Sequence, residues 1–264
     1  MRKMKDSGIE WIGDIPEDWI VAPLKKYLKS IIDYRGKTPE KVPDGIFLVT
    51  ARNIKNGIID YNLSQEYVKE TDYEEIMHRG KPDIGDVLFT TEAPLGEVAN
   101  VDRTDIALAQ RIIKFCPNDE LNPYFLKYWL LNWGFQQFLN TISTGSTATG
   151  IKASKLFMFN VLITKKEEQQ NIVEYLDKKC TSMDSIIDKE QKLIEKLKEY
   201  KQSFITETVT KGLNPDAPMK DSGVDWIGDI PEHWDIKRLR YIGKCQNGIS
   251  KGGRVSEILC KSDC

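Results

Sequence analysis

EEQQNIVEYLDKKCTSMDSIIDKEQKLIEKLKEYKQSFITETVT, residues Glu167 to Thr210, reads as one uninterrupted helix, with no Gly or Pro before Gly212. Laid out in sevens, Val173, Cys180, Ile187 and Ile194 fall at one core position, and Leu176, Met183, Leu197 and Phe204 at the other. A 3.5-residue apolar period is the signature of a coiled coil. Glu190 and Lys201 interrupt the seam, while Ile172, Ile186, Leu193 and Tyr200 widen it on one side, so more than one neighbour is expected. The 44 residues would span roughly 65 Å, longer than a small domain is wide. A helix of that length cannot bury its seam within its own chain without a second long helix, and the sequence contains no second such pattern. A partner helix from another chain is therefore expected, with Val173, Leu176, Met183, Ile187, Ile194, Leu197 and Phe204 facing it, and the segment reads as a spacer.

The second organising feature is a repeat. Met4 to Trp19, MKDSGIEWIGDIPEDW, returns at Met219 to Trp234 as MKDSGVDWIGDIPEHW, identical at 13 of 16 positions. A period of 215 residues is the spacing of whole modules rather than of a solenoid. The unit is thus an entry motif over residues 1–19, a globular domain over 20–164 and a spacer helix over 165–212. Residues 213–253 read as a linker and the start of an incomplete second repeat, and 254–264 as a disordered tail.

The globular stretch carries short strand-like segments at Ile46–Thr50, Asp86–Thr90, Gly96–Val101, Ile112–Phe115 and Met158–Ile163, punctuated by turns such as Pro43-Asp-Gly45 and Lys55-Asn-Gly57. Asn122-Pro123 is an N-cap followed by a first-turn proline. The helix it opens sets Leu126, Trp129, Leu130, Trp133 and Phe138 at helical spacing, a core face. These elements make a small α+β domain of short curved strands, expected to bend into a partly closed barrel, joined to the long coiled-coil helix.

Composition is that of an ordinary soluble protein, 40% hydrophobic and 30% charged. With no apolar run near eighteen residues and no signal-peptide pattern, the expected compartment is the cytoplasm. Five scattered cysteines without a C-x-x-C pair, and only two histidines, argue against structural zinc. The formal net charge of −2 speaks against indiscriminate nucleic-acid binding, yet charge is segregated. From Ile20 to Asp60 eight basic residues face four acidic ones, and Ser143 to Lys166 holds four lysines and no carboxylate. The hydroxyl- and glycine-rich run Thr141 to Lys155 suits donation to phosphate oxygens and equally suits a flexible surface loop. Turns at Asp33–Pro39 and Ala51–Asn56 carry Arg and Asn, residue types that read guanine and adenine edges. Candidate DNA contacts are Arg35, Lys37, Thr38, Arg52, Asn53, Lys55, Ser146, Thr147 and Lys152.

No catalytic constellation stands out. Asn122-Pro-Tyr-Phe125 resembles the Asn-Pro-Pro-Tyr motif of adenine methyltransferases but lacks its second proline and any preceding Gly-x-Gly loop. Pro82-Asp83 with Glu92-Ala-Pro94 resembles a metal-dependent nuclease, with Pro94 where a lysine is required. No P-loop or nucleophile motif is present.

Four stretches together resemble the specificity subunit of type I restriction-modification systems: Asp6 to Trp19, Arg35-Gly-Lys-Thr-Pro39, Lys81-Pro-Asp-Ile-Gly-Asp-Val-Leu-Phe-Thr-Thr91, and Glu168-Gln169 with Tyr175-Leu-Asp-Lys-Lys179. The likeness runs from residue 4 to about residue 250. It implies a non-catalytic subunit with two target-recognition domains, each followed by a long helix; the helices pack antiparallel and set the distance between two DNA half-sites. It further implies adenine methyltransferase subunits using S-adenosylmethionine and a restriction subunit driven by ATP and Mg, these cofactors residing on the partners. This chain departs in having one recognition domain, one helix and the entrance to a second domain, which points to a half-length form assembling as a homodimer. The alternative is a coiled-coil interaction protein with no DNA role.

Overall fold

In the computed structural model, which describes residues 2–36, 38–145 and 149–243, the entry motif folds as a hairpin, β1 (Met4–Asp6) paired with β2 (Asp14–Pro16). There follow β3 (Ile20–Pro23), β4 (Leu28–Asp33), β5 (Ile46–Val49), β6 (Ile54–Lys55), β7 (Ile58–Ile59), β8 (Tyr67–Val68) and the single turn α1 (Tyr73–Ile76). Next come β9 (Val87–Thr91), β10 (Leu95–Asn100), β11 (Ile106–Leu108) and β12 (Ile112–Pro117), then α2 (Pro123–Leu131), α3 (Trp133–Ile142) and β13 (Asn160–Ile163). The long helix α4 spans Lys166–Lys211, and a second hairpin pairs β14 (Met219–Asp221) with β15 (Asp229–Pro231). The chain divides into two compact units, Met1–Met183 and Asp184–Cys264.

In the first unit the strands do not close into one barrel, as the sequence suggested. They form a four-stranded sheet in the order β10-β9-β12-β4 and a separate three-stranded sheet, β11-β5-β8. β9 and β12 bury side chains on both faces. Successive side chains of a strand point to opposite faces, and along β9 Val87 and Phe89 enter one apolar cluster while Leu88 enters the other. Ile113 and Phe115 of β12 likewise face the first cluster and Ile112 the second. The first cluster is completed by Phe125, Leu126 and Leu130 of α2, Phe135 and Leu139 of α3, and Phe159. The second is completed by Leu48 and Val49 of β5 and Ile106 and Leu108 of β11. The four-stranded sheet is thus a layer packed between two apolar cores.

Lys114, between Ile113 and Phe115, is buried, and its Nζ donates to Asp86 Oδ2 at 2.5 Å and to the Lys81 carbonyl. Asp86 also accepts from the Asp83 amide at 3.1 Å. The Lys81–Asp86 turn is thereby tied to the central sheet by a desolvated ion pair, whose loss on one side would cost about 3–5 kcal/mol.

The helix expected after Asn122 is two helices. Asn122 caps α2, its Oδ1 accepting from the Tyr124 and Phe125 amides at 2.9 and 3.3 Å. Asn132 is extended (φ −64°, ψ 148°), ends α2 and caps α3 by accepting from the Phe135 amide at 2.9 Å. The break shifts the helical phase, so Trp133, expected in the core face, is 77% exposed while Phe135 is fully buried.

The start of α4 is docked in the first unit. Gln169 is buried, its Oε1 accepting from the Asn122 amide at 2.8 Å and its Nε2 donating to the carbonyls of Glu120 and Thr164. Val173 joins the first apolar cluster at 4% exposure, with Ile172 packed against it. Val173 therefore serves the domain core and is not available to a partner helix, a correction to the sequence-based seam. Leu176 is half-buried, whereas Met183, Ile187, Ile194, Leu197 and Phe204 are exposed. The anticipated tail, 254–264, lies outside the described residues.

Candidate nucleic-acid interface

Strand register gathers the candidate loops. Asp33 at the end of β4 lies opposite Ile113, and Thr90 of β9 opposite Ile112. β5 and β11 run parallel, with Val49 beside Leu108. The connections after β4, β5, β9 and β11 therefore emerge at one end of the unit. A fifth segment joins them, for Gly150 bridges Glu92 and the Ile151 amide donates to the Thr91 carbonyl at 3.0 Å. A Cβ on Gly150 would meet Glu92 Cβ at 3.2 Å, tight enough that Glu92 would have to give by a few tenths of an ångström.

Within this cluster the candidates differ sharply. Arg35 is committed to Asp33, with Nε 2.9 Å from both carboxylate oxygens and the Nη2 donor engaged as well. Burial alone would raise the Asp33 pKa, but the side-chain and backbone hydrogen bonds from Arg35 outweigh it and hold the carboxyl below its usual range. Arg79, absent from the sequence-based set, fixes this turn by donating to the carbonyls of Asp33 and Arg35 at 2.6 and 2.8 Å. Arg52, by contrast, is exposed and makes no hydrogen bond or ion pair among the described residues. It lines a cavity of about 240 Å3 with Thr38, Lys41, Thr50, Gln110 and Arg111.

Asn53 is corrected by the structure. Its side chain is fully buried, with Oδ1 accepting from the Thr50 amide and hydroxyl and Nδ2 donating to the carbonyls of Asp60 and Ser64. Every polar atom of the amide is consumed in holding the loop, leaving no edge for a base. Lys55, on β6, is exposed but does not line the cavity. Lys152 is exposed just beyond Gly150. Lys37, Ser146 and Thr147 lie outside the described residues.

The residues that sequence reasoning passed over are Lys41, Gln110 and Arg111. They are supplied by short connections whose convergence depends on pairings between strands distant in sequence. Only the two-residue step Gln110-Arg111 between two apolar runs offered a local hint. Thr38 accepts from Gln110 Nε2 at 2.8 Å, and this contact separates the cavity from a second one of about 350 Å3 lined by Glu40, Asp72, Glu75, His78 and Arg79. Basic groups dominate one side and carboxylates the other. Among the described residues no group of three or more His, Cys, Asp or Glu is arranged to hold a metal ion, and no helix is long and apolar enough to cross a membrane.

The family model for the type I restriction modification DNA specificity domain matches residues 16–199, which takes in the loop cluster and most of α4. The chain belongs to this family. Specificity subunits of type I systems are non-catalytic, in keeping with the cap role of Asn122 and the structural role of Asp86. Among relatives of this specificity-domain chain, the putative MjaX specificity subunit of Methanocaldococcus jannaschii is 28% identical over 235 residues, 86% of this chain and 53% of that protein. Two solved structures share the fold. A chain from a study of complex assembly and conformational transition in the type I restriction-modification system aligns with a TM-score of 0.58 at 17% identity, covering 80% of this chain and 49% of that one. The HsdS subunit from Thermoanaerobacter tengcongensis aligns with a TM-score of 0.50 at 18% identity, covering 80% and 48%. The chain thus spans about half the length of the relatives it matches.

Proposed function

We propose that this chain is a DNA-reading and scaffolding component of a cytoplasmic type I restriction-modification assembly. The observation that carries the reading is the family match, which covers both the loop cluster and the long helix. Arg52, Thr38 and Lys152, at the loop-bearing end, contact one half-site of a bipartite duplex, while the assembled subunit docks adenine methyltransferase subunits and a restriction subunit. S-adenosylmethionine, ATP and Mg belong to those partners. In this reading the recognition domain is residues 20–164 and the spacer helix residues 165–212.

Two copies join through α4. Ile187 is 56% exposed, and Met183, Ile194, Leu197 and Phe204 are similarly open, so the helix presents an apolar row beyond the domain. Burying each such side chain is worth about 1.5–3 kcal/mol. With antiparallel helices, a two-fold dimer reads one half-site twice, and its target is an inverted repeat with a fixed spacer. Light scattering on the purified chain should give a dimer, and Ile187→Asp with Ile194→Asp a monomer. Methylation mapping in cells carrying the methyltransferase subunit should return a two-fold motif. An asymmetric motif excludes the homodimer, and the absence of salt-dependent duplex binding favours a coiled-coil interaction protein instead.

A further inference from the structure

We propose that Gln110 is a specificity-determining residue that reads an adenine edge in the Arg52 cavity, with Thr38 as its positioning residue. The proposal rests on the DNA-recognition reading above. Gln110 spends one N–H on the Thr38 hydroxyl, 2.8 Å away. Its second N–H and its carbonyl oxygen remain, one donor beside one acceptor. Adenine offers the complement in the major groove, with N7 accepting and the N6 amino group donating.

The backbone presenting this amide is held on both sides. The Ala109 amide donates to the Val49 carbonyl at 2.9 Å. Arg111 sits in the left-handed region at φ 78°, its carbonyl accepting from the Thr91 amide at 2.8 Å and the Thr91 hydroxyl at 3.1 Å, and its Nε lies 2.9 Å from Glu92 Oε1. Ala93, across the cavity, is also left-handed at φ 47°. Non-glycine residues persist there only where the surroundings over-determine them, and such positions gather at functional sites.

Charge sets the direction of approach. Lys41 is paired with Glu66 and Arg111 with Glu92, which leaves Arg52 as the open cation of the cavity among the described residues. On the far side of the Thr38–Gln110 contact Glu40 is paired with Lys69 and Arg79 is tied to backbone carbonyls, whereas Asp72 and Glu75 form no ion pair among the described residues and oppose phosphate there. A duplex therefore enters from the Arg52 side and meets Gln110. Two other candidate readers on the neighbouring loops are spent, Asn53 inside its own loop and Arg35 on Asp33.

The test is selection from randomised duplexes by the full chain purified with its methyltransferase partner. Gln110→Ala should lower the preference for adenine at one position by about 5- to 150-fold and leave the other positions unchanged. Gln110→Glu keeps the shape but loses the donor, and should move that position toward cytosine, whose N4 amino group it can accept from. Thr38→Ala should weaken the same position, and Thr38→Ser should restore it. A motif unaltered by both Gln110 variants overturns the assignment, as does a uniform loss across all sequences or relaxation at a position that is not adenine. A wild-type chain that selects no motif overturns the DNA reading along with it, whereas a clear wild-type motif indifferent to Gln110 removes only this residue.

Discussion

The two copies of the entry motif have the same local structure and opposite surroundings. β1–β2 pairs Met4 with Pro16, Lys5 with Ile15 and Asp6 with Asp14; β14–β15 pairs Met219 with Pro231, Lys220 with Ile230 and Asp221 with Asp229. The turn chemistry repeats atom for atom. The amides of Gly8 and Gly223 donate to Asp6 and Asp221 at 2.9 Å, and Ser7 and Ser222 close each turn on the carbonyls of Gly13 and Gly228. The tryptophans then diverge. Trp11 lies against Trp129, Phe138 and Phe135 at centroid distances of 5.4, 6.3 and 6.4 Å, whereas its counterpart Trp226 is 83% exposed. Trp19 donates its indole N–H to Glu168 at 2.9 Å beneath the Arg2 guanidinium, while Trp234 rests near Gly212. Arg2 and Asp18 of the first copy correspond to Ala217 and His233 of the second. A sixteen-residue hairpin is thus specified by its own turn residues, and the value of its aromatic side chains is set by what the rest of the chain places beside them.

The strongest way to break this comparison is at the aromatic contact. Trp11→Ala should destabilise the first unit by about 3 kcal/mol in denaturant unfolding, while Trp226→Ala should change stability by no more than about 0.5 kcal/mol. Equal costs would mean that the two hairpins are embedded alike.

A smaller difference is expected in acid. The hydrogen bond from Arg2 is the largest influence lowering the Glu168 pKa, to about 2, with Thr164 and Trp19 also donating and partial burial opposing them. Because the folded value is depressed, the stabilisation is present above the unfolded carboxylate value near 4.5 and is lost as pH falls through about 2. Glu168→Gln should remove about 1 kcal/mol at neutral pH, allowing for solvent screening, and flatten that part of the acid profile. The indole N–H resonance of Trp19 should follow the titration. A matching shift at Trp234 would sink the distinction between the two copies.

The smallest effect concerns what the copies share. Gly8 and Gly223 sit at φ 72° and 67° with open space around them, so an added Cβ meets only backbone strain. Gly8→Ala and Gly223→Ala should each cost about 1 kcal/mol, and amide exchange at Ser7 and Ser222 should accelerate by the same roughly fivefold factor. A clear inequality would show that one turn is strained by its setting.

What the sequence by itself determined is whatever depends on neighbours a few residues away. The hairpins follow from their Asp-Ser-Gly turns, α2 from Asn122-Pro123, and α4 from an unbroken apolar period that matches Lys166–Lys211 to within a residue at each end. The loops carrying Arg35, Thr38 and Arg52 were marked by turn chemistry. Tertiary structure alone decided which of these residues are usable. Asn53 and Arg52 are adjacent in one turn, yet one amide is consumed by Asp60 and Ser64 while the guanidinium stays open. Val173 and Ile187 occupy the same heptad position, yet one is buried in the domain core and the other exposed. Gln110 acquires its partner from Thr38, 72 residues earlier, because β4, β9 and β12 pair in register. Burial and hydrogen-bond satisfaction are sums over contacts distant in sequence, and no local pattern encodes such sums.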